Sequence, residues 1–149
     1  MYAIQAGSKF AKVEYYIDPD KVWNVVISAT PKTYKSRVVA ERELERMNEW
    51  IDYRIAHSEE VIASNTAFVA KSKKEVAQLE AKLEELLDLP CREVEKKVAQ
   101  VRRAIAKAKS DSGCYGPTIA SYKQDLARYN KIRSAGARVV LIQQTVEAL

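Results

Sequence analysis

Alternating apolar and polar residues predict β-strands at the start of the chain. Three short runs, Tyr2–Gln5, Phe10–Ile17 and Val22–Ile27, are separated by the turn residues Gly7-Ser8 and Asp18-Pro19-Asp20. Every second side chain of a strand shares a face. One shared face would hold Ala11, Val13, Tyr15 and Ile17, and another Trp23, Val25 and Ile27. We therefore predict a three-stranded antiparallel meander whose apolar face packs on a helix, since so small a sheet is unstable alone.

A helical pattern follows the strands. Between Pro31 and Pro90 the chain has neither glycine nor proline, and Ser36 is a suitable N-cap. The first apolar stripe has helical spacing and consists of Ala40, Leu44, Met47, Ile51 and Ile55. His57-Ser58-Glu59-Glu60 resembles a helix start, with a hydroxyl followed by acids. We therefore divide the helix at residue 58; one bent helix of about 50 residues is the alternative.

A heptad pattern predicts that this region packs against a second helix. The seam comprises Ile55, Ile62, Val69, Val76 and Leu83, with Leu79 and Leu86 as later companions and the polar Ser58, Asn65 and Ser72 as earlier ones. After Pro90 the same spacing continues in Val94, Val98, Val101, Ile105 and Ala108. A reversal at Pro90 would place the two stretches side by side as an antiparallel coiled-coil pair.

The last third of the chain reads as a loop and a final helix. Ser110–Pro117 contains Gly113 and Gly116 and is predicted to be a loop, after which Thr118 would cap a helix reaching Leu149. Gly136 suggests a bend or a close backbone crossing there. The expected fold is mostly α with a small N-terminal antiparallel β-meander, an α+β class. Its expected domains are 1–57 and 58–149, or one continuous domain.

Amino-acid composition argues against several classes of protein, among them membrane-spanning proteins and metalloproteins. Apolar residues make up 47% and charged residues 30%, as in folded domains, and no apolar run has the length of a membrane span. A cytoplasmic location without membrane contact is expected. Cys91 and Cys114 would lie about 30 Å apart on one helix, too far for a disulfide, and are read as free thiols. With His57 as the sole histidine, we expect no metal site, cofactor or catalytic residues.

Positive charge is concentrated in one stretch of the chain. Residues 91–110 hold seven Lys/Arg against two Asp/Glu, whereas residues 58–90 hold four against seven. Near Pro90, acids would neutralise bases across the hairpin: Glu84, Glu85 and Asp88 against Arg92, Lys96 and Lys97. Farther away, seven cations would gather in one zone: Lys71, Lys73, Lys74, Arg102, Arg103, Lys107 and Lys109. Such a zone attracts phosphates or acidic protein surfaces; a merely solvated face is the alternative.

The first third of the chain carries a family resemblance. The segments KFAKVEYYIDPDKVW and TPKTYKSRVVAERELERM resemble small accessory proteins of bacteriophages, which have a strand meander followed by a helix. The matching positions are Tyr34, Lys35, Ser36, Ala40 and Leu44. The resemblance implies an origin in a phage or mobile element, and binding to a host protein or defence complex in the host cytoplasm.

Together these features lead to a non-enzymatic binding protein as the expected function. Its partner would be a host protein or nucleoprotein complex, engaged through the basic zone, with inhibition of that partner as one form of the activity. One alternative is nonspecific binding of nucleic acid. Another is self-association into a homo-oligomer, because polar residues weaken the seam at Ser58, Asn65 and Ser72.

Overall fold

The chain is an α+β protein with a four-stranded antiparallel sheet and two long helices. A computed structural model describes residues 1–17, 21–89 and 93–143. The elements are β1 (Tyr2–Ala6), β2 (Lys9–Tyr15), β3 (Val22–Ser28), α1 (Arg37–Leu87), α2 (Glu93–Ala135) and β4 (Arg138–Leu141). They form two compact units: the sheet unit, which is Met1–His57 with the chain from Asp125 onward, and the hairpin unit, Ser58–Gln124. The predicted fold class is confirmed.

The predicted meander is present, with one strand more than expected. The strand order is β3-β2-β1-β4, and all neighbours are antiparallel. β1 and β2 are joined by Gly7-Ser8, and Gly7 has a φ of 66°, which a type II′ hairpin turn requires at its first central residue. β4 pairs with β1 from Tyr2↔Leu141 to Gln5↔Arg138. β1 is therefore a central strand.

A β-bulge in β3 changes the predicted face of Trp23. Tyr15 pairs with Val22 while Glu14 pairs with Asn24, so that Trp23 is the additional residue. Its side chain is 51% exposed, whereas Val25 is buried as predicted. The expectation that Trp23 belongs to the core is therefore wrong. Ile17, which we also placed on a buried face, is fully exposed.

The core of the sheet unit lies between the sheet and the helices. Sheet residues Ile4, Ala11, Val13 and Val25 meet one stripe of α1. That stripe is the predicted one, and its members Ala40, Met47, Ile51 and Ile55 are buried, with Leu44 packed against them. α2 contributes Tyr129 and Ile132 to the same core. The first apolar stripe is confirmed, and α1 begins directly after Ser36 as expected.

α1 is one continuous helix of 51 residues, so the predicted division at residue 58 is wrong. Ser58 does not start a new helix. It is 0% exposed at a seam position, and its hydroxyl has no hydrogen-bond partner among the described residues. A serine hydroxyl is a helix-start signal only where it can bond free backbone N–H groups, and those are already bonded within a continuous helix.

Replacing Ser58 by alanine is expected to increase the free energy of unfolding by about 1 kcal/mol. The change removes a buried hydroxyl that lacks a partner and introduces the residue with the best helix propensity. Ser64→Ala is the matched control, because Ser64 is exposed on the same helix. Urea unfolding followed by circular dichroism measures both. If Ser58→Ala lowered stability, its hydroxyl would have to be making a favourable bond.

α2 is also continuous, and it passes through the segment predicted to be a loop. The helix spans Glu93–Ala135, with Pro117 inside it, so the loop at 110–117 and the cap at Thr118 are wrong. Gly113, Gly116 and Pro117 are all exposed. The apolar spacing continues through the segment, where Ser112 and Tyr115 are partly buried. The segment therefore presents its glycines and proline to solvent.

The predicted final helix ends earlier than expected. α2 stops at Ala135, and Gly136 follows with a φ of 64° and donates its N–H to the Arg133 carbonyl at 3.2 Å. This is the left-handed glycine that commonly closes a helix. Gly136 marks a change of direction into β4, but no atom of the described residues approaches it closely enough to indicate a backbone crossing. The predictions for Asp18-Pro19-Asp20, Pro90, Cys91, Arg92 and the end of the final helix at Leu149 lie outside the described residues.

Candidate binding surfaces

Contacts in the hairpin unit show that α1 and α2 run antiparallel. Glu80 Oε1 lies 3.4 Å from Lys109 Nζ, and the ring centroids of Phe68 and Tyr115 are 4.7 Å apart. Later residues of α1 therefore meet earlier residues of α2. The seam follows the predicted heptads: its buried members in this unit are Ser58, Ser72, Val101 and Ile105, and its other members there are partly buried. The chain thus reverses between α1 and α2.

The seven predicted cations are all exposed on the hairpin unit. Lys71 and Lys107 line one shallow cleft with Glu75 and Asp111, which confirms that these stretches lie side by side. Arg102 and Arg103 line a different cleft with Leu86, Leu87, Leu89 and Val94 among its walls. Lys109 is paired with Glu80, and Arg103 donates to the Ala99 carbonyl at 3.4 Å. Four of the seven cations are therefore divided between two separate clefts, with two in each.

These cations do not point to one side of the hairpin unit. Successive helical residues are about 100° apart, so Lys71 and Lys73 lie about 200° apart on α1. Lys107 and Lys109 are related in the same way on α2. The seven side chains accordingly occupy more than one face of the helical pair, and we call these seven residues the positive belt. A helix disperses near neighbours around its axis, so the zone predicted from the sequence extends over more than one face, and its role in binding stays a prediction.

The predicted neutralisation near the turn is not observed among the described residues. Glu84, Glu85 and Asp88 form no ion pair with Lys96 or Lys97 within 4.0 Å in the part of the chain that is described. All of these side chains are exposed. Exposed pairs gain little over hydrated ions, so these charges have no strong reason to associate.

A buried carboxylate in the sheet unit was not expected from the sequence. Glu43 is 7% exposed, and its Oε1 accepts a hydrogen bond from Tyr15 Oη at 3.1 Å and lies 3.0 Å from Lys32 Nζ. The Lys32 ammonium also lies 5.3 Å from the ring centroid of Tyr34. Burial raises the pKa of Tyr15, and the negative charge of Glu43 raises it further, whereas Arg46 opposes the shift. The cluster links β2, α1 and the segment between β3 and α1.

A cation-rich cleft of about 550 Å³ lies between the sheet and α2 in the sheet unit. We call it the basic cleft. Lys9 from β2 and Arg128 and Lys131 from α2 line it, beside the Gly7-Ser8 turn and Ile27. Among the described residues no acidic side chain lines it, and none forms an ion pair with its three cations. Its charge is therefore left to the solvent or to a ligand.

A second cleft, of about 510 Å³, adjoins the first at Arg128. We call it the aromatic cleft. Its exposed rings are Tyr16 (58%), Trp23 (51%) and Tyr53 (63%), and the ring centroids of Tyr16 and Trp23 are 6.1 Å apart. Trp50 and Tyr129 lie at its wall and contact each other edge to face at 5.3 Å. The cleft thus combines exposed rings with a packed aromatic wall.

Two guanidinium groups complete the aromatic cleft. Arg54 Cζ lies 5.9 Å from the ring centroids of both Trp50 and Tyr129, and its buried Nε has no hydrogen-bond partner among the described residues. Arg128 Cζ lies 5.0 Å from the Tyr129 centroid, and its Nη2 donates to Tyr129 Oη at 3.1 Å and Asn24 Oδ1 at 3.3 Å. Neither arginine is ion-paired within the described chain, and Asp125 is the one acid among the described residues that line the cleft.

Other classes of site find little support in the described residues. No group of three His, Cys, Asp or Glu side chains with metal-binding geometry occurs among them. None of their helices combines the length and apolar character of a membrane span. Cys114 is an exposed free thiol, as predicted for it. The two clefts thus combine side chains that the sequence analysis did not bring together.

Comparisons with protein-family models, with curated proteins and with solved structures gave no match to this chain.

Proposed function

We propose that this protein is a non-enzymatic binding protein that is attracted to an acidic partner by the positive belt. The observation behind the proposal is the exposure of all seven cations, of which Lys109 alone forms an ion pair within the described chain. Unpaired surface charge of one sign accelerates and steers association with the opposite charge. The partner we propose is a host protein or nucleoprotein complex, in keeping with the phage-like N-terminal segments.

Charge reversal of the belt tests this proposal. Arg102→Glu/Arg103→Glu/Lys107→Glu should abolish capture of the partner from a bacterial lysate, while circular dichroism shows unchanged helicity. The matched control is Lys35→Glu/Arg42→Glu/Lys123→Glu, which changes the net charge equally at exposed positions outside the belt. Mass spectrometry should find the same partner with the wild type and the control. If both variants lost capture of the partner equally, or if neither variant lost it, the belt would be rejected as the attracting surface.

Nonspecific binding of nucleic acid by the belt is the second candidate. The same unpaired cations favour it, and each phosphate that they neutralise should change the binding constant for duplex DNA by about 0.9 decade per decade of salt. Absence of binding to random duplex DNA at about 50 mM salt would remove this candidate. Self-association stays a hypothesis, although α2 of the same chain already covers the α1 seam in the hairpin unit.

A further inference from the structure

We propose that the basic and aromatic clefts of the sheet unit form one binding site for single-stranded nucleic acid. The inference goes beyond the proposed role of the positive belt, which lies in the other unit. It depends on the conjunction of unpaired cations with exposed aromatic rings along one connected surface.

The basic cleft supplies the contacts for phosphates. Lys9, Arg128 and Lys131 line it, and its described wall contains no acidic side chain. Three unpaired cations around one cleft of about 550 Å³ repel one another, and anionic groups relieve that repulsion while releasing counterions. Arg128 is held by Asn24 and Tyr129, so that one of the three cations is already positioned before a ligand arrives.

The aromatic cleft supplies the contacts for bases. The bulge in β3 turns Trp23 out of the core and beside Tyr16, and Tyr53 of α1 lines the same cleft. Bulges that redirect a side chain are frequent beside functional sites. Large rings at this level of exposure contribute little to folding, whereas each ring can stack on a base of any sequence. The arginines Arg54 and Arg128 add cation–π or stacking contacts to the same surface.

A single strand satisfies both halves of this surface better than other anionic ligands. An acidic peptide would neutralise the cations but would leave the exposed rings of Tyr16 and Trp23 without flat partners. Tyr53 already stacks on His57, with ring centroids 6.0 Å apart. A duplex presents phosphates, but its bases are stacked inside and cannot reach Trp23. Single strands carry phosphates and free aromatic bases in regular succession, and proteins that bind them combine a basic groove with stacking rings. Asp125 opposes the binding of phosphate on the aromatic side, which favours base contacts there.

Fluorescence anisotropy of the full chain with labelled oligo(dT) and oligo(U) of about 16 nucleotides tests the site. At about 50 mM salt we expect binding of at least one probe, with competition by unlabelled single strand and weak competition by duplex. If three phosphates are neutralised, log K should fall by about 2 per decade of salt, because each contributes about 0.7 on single strands. The DNA and RNA arms show which strand is preferred, and binding of either supports the site.

Variants separate the two halves of the site. Lys9→Gln/Lys131→Gln should reduce the salt slope by about 1.4, since two phosphate contacts are lost. Trp23→Ala should weaken binding about tenfold without changing the slope, whereas Trp23→Phe should keep most of the affinity. Lys73→Gln/Lys74→Gln is the matched control, because it removes two exposed cations of the belt and should leave the slope unchanged.

Three results would overturn the proposal. The first is absence of binding to both probes at low salt. The second is wild-type affinity and salt slope in Trp23→Ala and Lys9→Gln/Lys131→Gln alike. The third is a reduced salt slope in Lys73→Gln/Lys74→Gln together with an unchanged salt slope in Lys9→Gln/Lys131→Gln. That result would assign binding to the hairpin unit. Because the affected side chains are exposed, circular dichroism should show that every variant is folded.

Discussion

Pro117→Ala is expected to increase the free energy of unfolding by about 3 kcal/mol, the cost of proline relative to alanine in a helix interior. Pro117 lies within α2, where it cannot donate a backbone hydrogen bond and its ring crowds the carbonyl of Gly113 one turn earlier. Its side chain is exposed, so alanine leaves no cavity. Urea unfolding and amide hydrogen exchange of the segment around residue 117 measure the gain.

Whether Pro117→Ala raises or lowers the free energy of unfolding distinguishes a continuous helix from the loop that the sequence predicted. In a loop, replacing proline by alanine increases the entropy of the unfolded chain and lowers stability by up to about 1 kcal/mol. Pro31→Ala is the matched control, because Pro31 lies outside the regular elements and should show that small loss. A loss of similar size at Pro117 would contradict a continuous α2.

Ile51→Ala should lower the free energy of unfolding by about 3 kcal/mol. Ile51 is 2% exposed in the core between α1 and the sheet. Truncation removes buried methyl groups and leaves a cavity that the surrounding side chains fill only partly. Chemical unfolding followed by tryptophan fluorescence is a suitable measurement, because Trp50 packs against this core.

The control for Ile51→Ala is Val39→Ala on the same helix. Val39 is 50% exposed, so its truncation should change stability by less than about 0.5 kcal/mol. Equal effects of the two substitutions would mean that the α1 stripe is not the side that packs on the sheet.

The spacing of the buried positions predicted the helices more reliably than individual glycine, proline and serine residues did. Ser112 and Tyr115 continue the spacing of Val101, Ile105 and Ala108 through the segment we took for a loop. Glycine and proline there are tolerated because they face solvent and many neighbouring residues keep the helix formed. The same reasoning applies to Ser58, whose seam position indicated continuity while its residue type suggested a helix start.

The sequence contains a signal for β4, but the apolar residues there also have helical spacing, which concealed it. Gly136 after Arg133 is a typical helix end, and the β-branched Val139 and Val140 that follow favour a strand. Val139 and Ile142 also fit helical spacing, so the stretch was assigned to the helix. Deciding between the two readings requires knowing that β1 has a free edge, which is a property of the folded sheet.

The clefts could not be predicted from the sequence. Lys9 and Arg128 are remote in the chain and meet only because α2 packs beside the β1–β2 turn. Trp23 is exposed because β3 contains one residue more than β2 needs for pairing. A strict alternation of faces cannot reveal an inserted residue, so the sequence assigned this ring to the interior.

Pairing of β4 with β1 has a consequence for how the protein is made. β1 is translated before both long helices, whereas its partner β4 is translated after them. Until then one edge of β1 lacks its neighbour, and unpaired strand edges are prone to associate with other chains. Nascent chains that stall before β4 should therefore be the species most in need of chaperone protection.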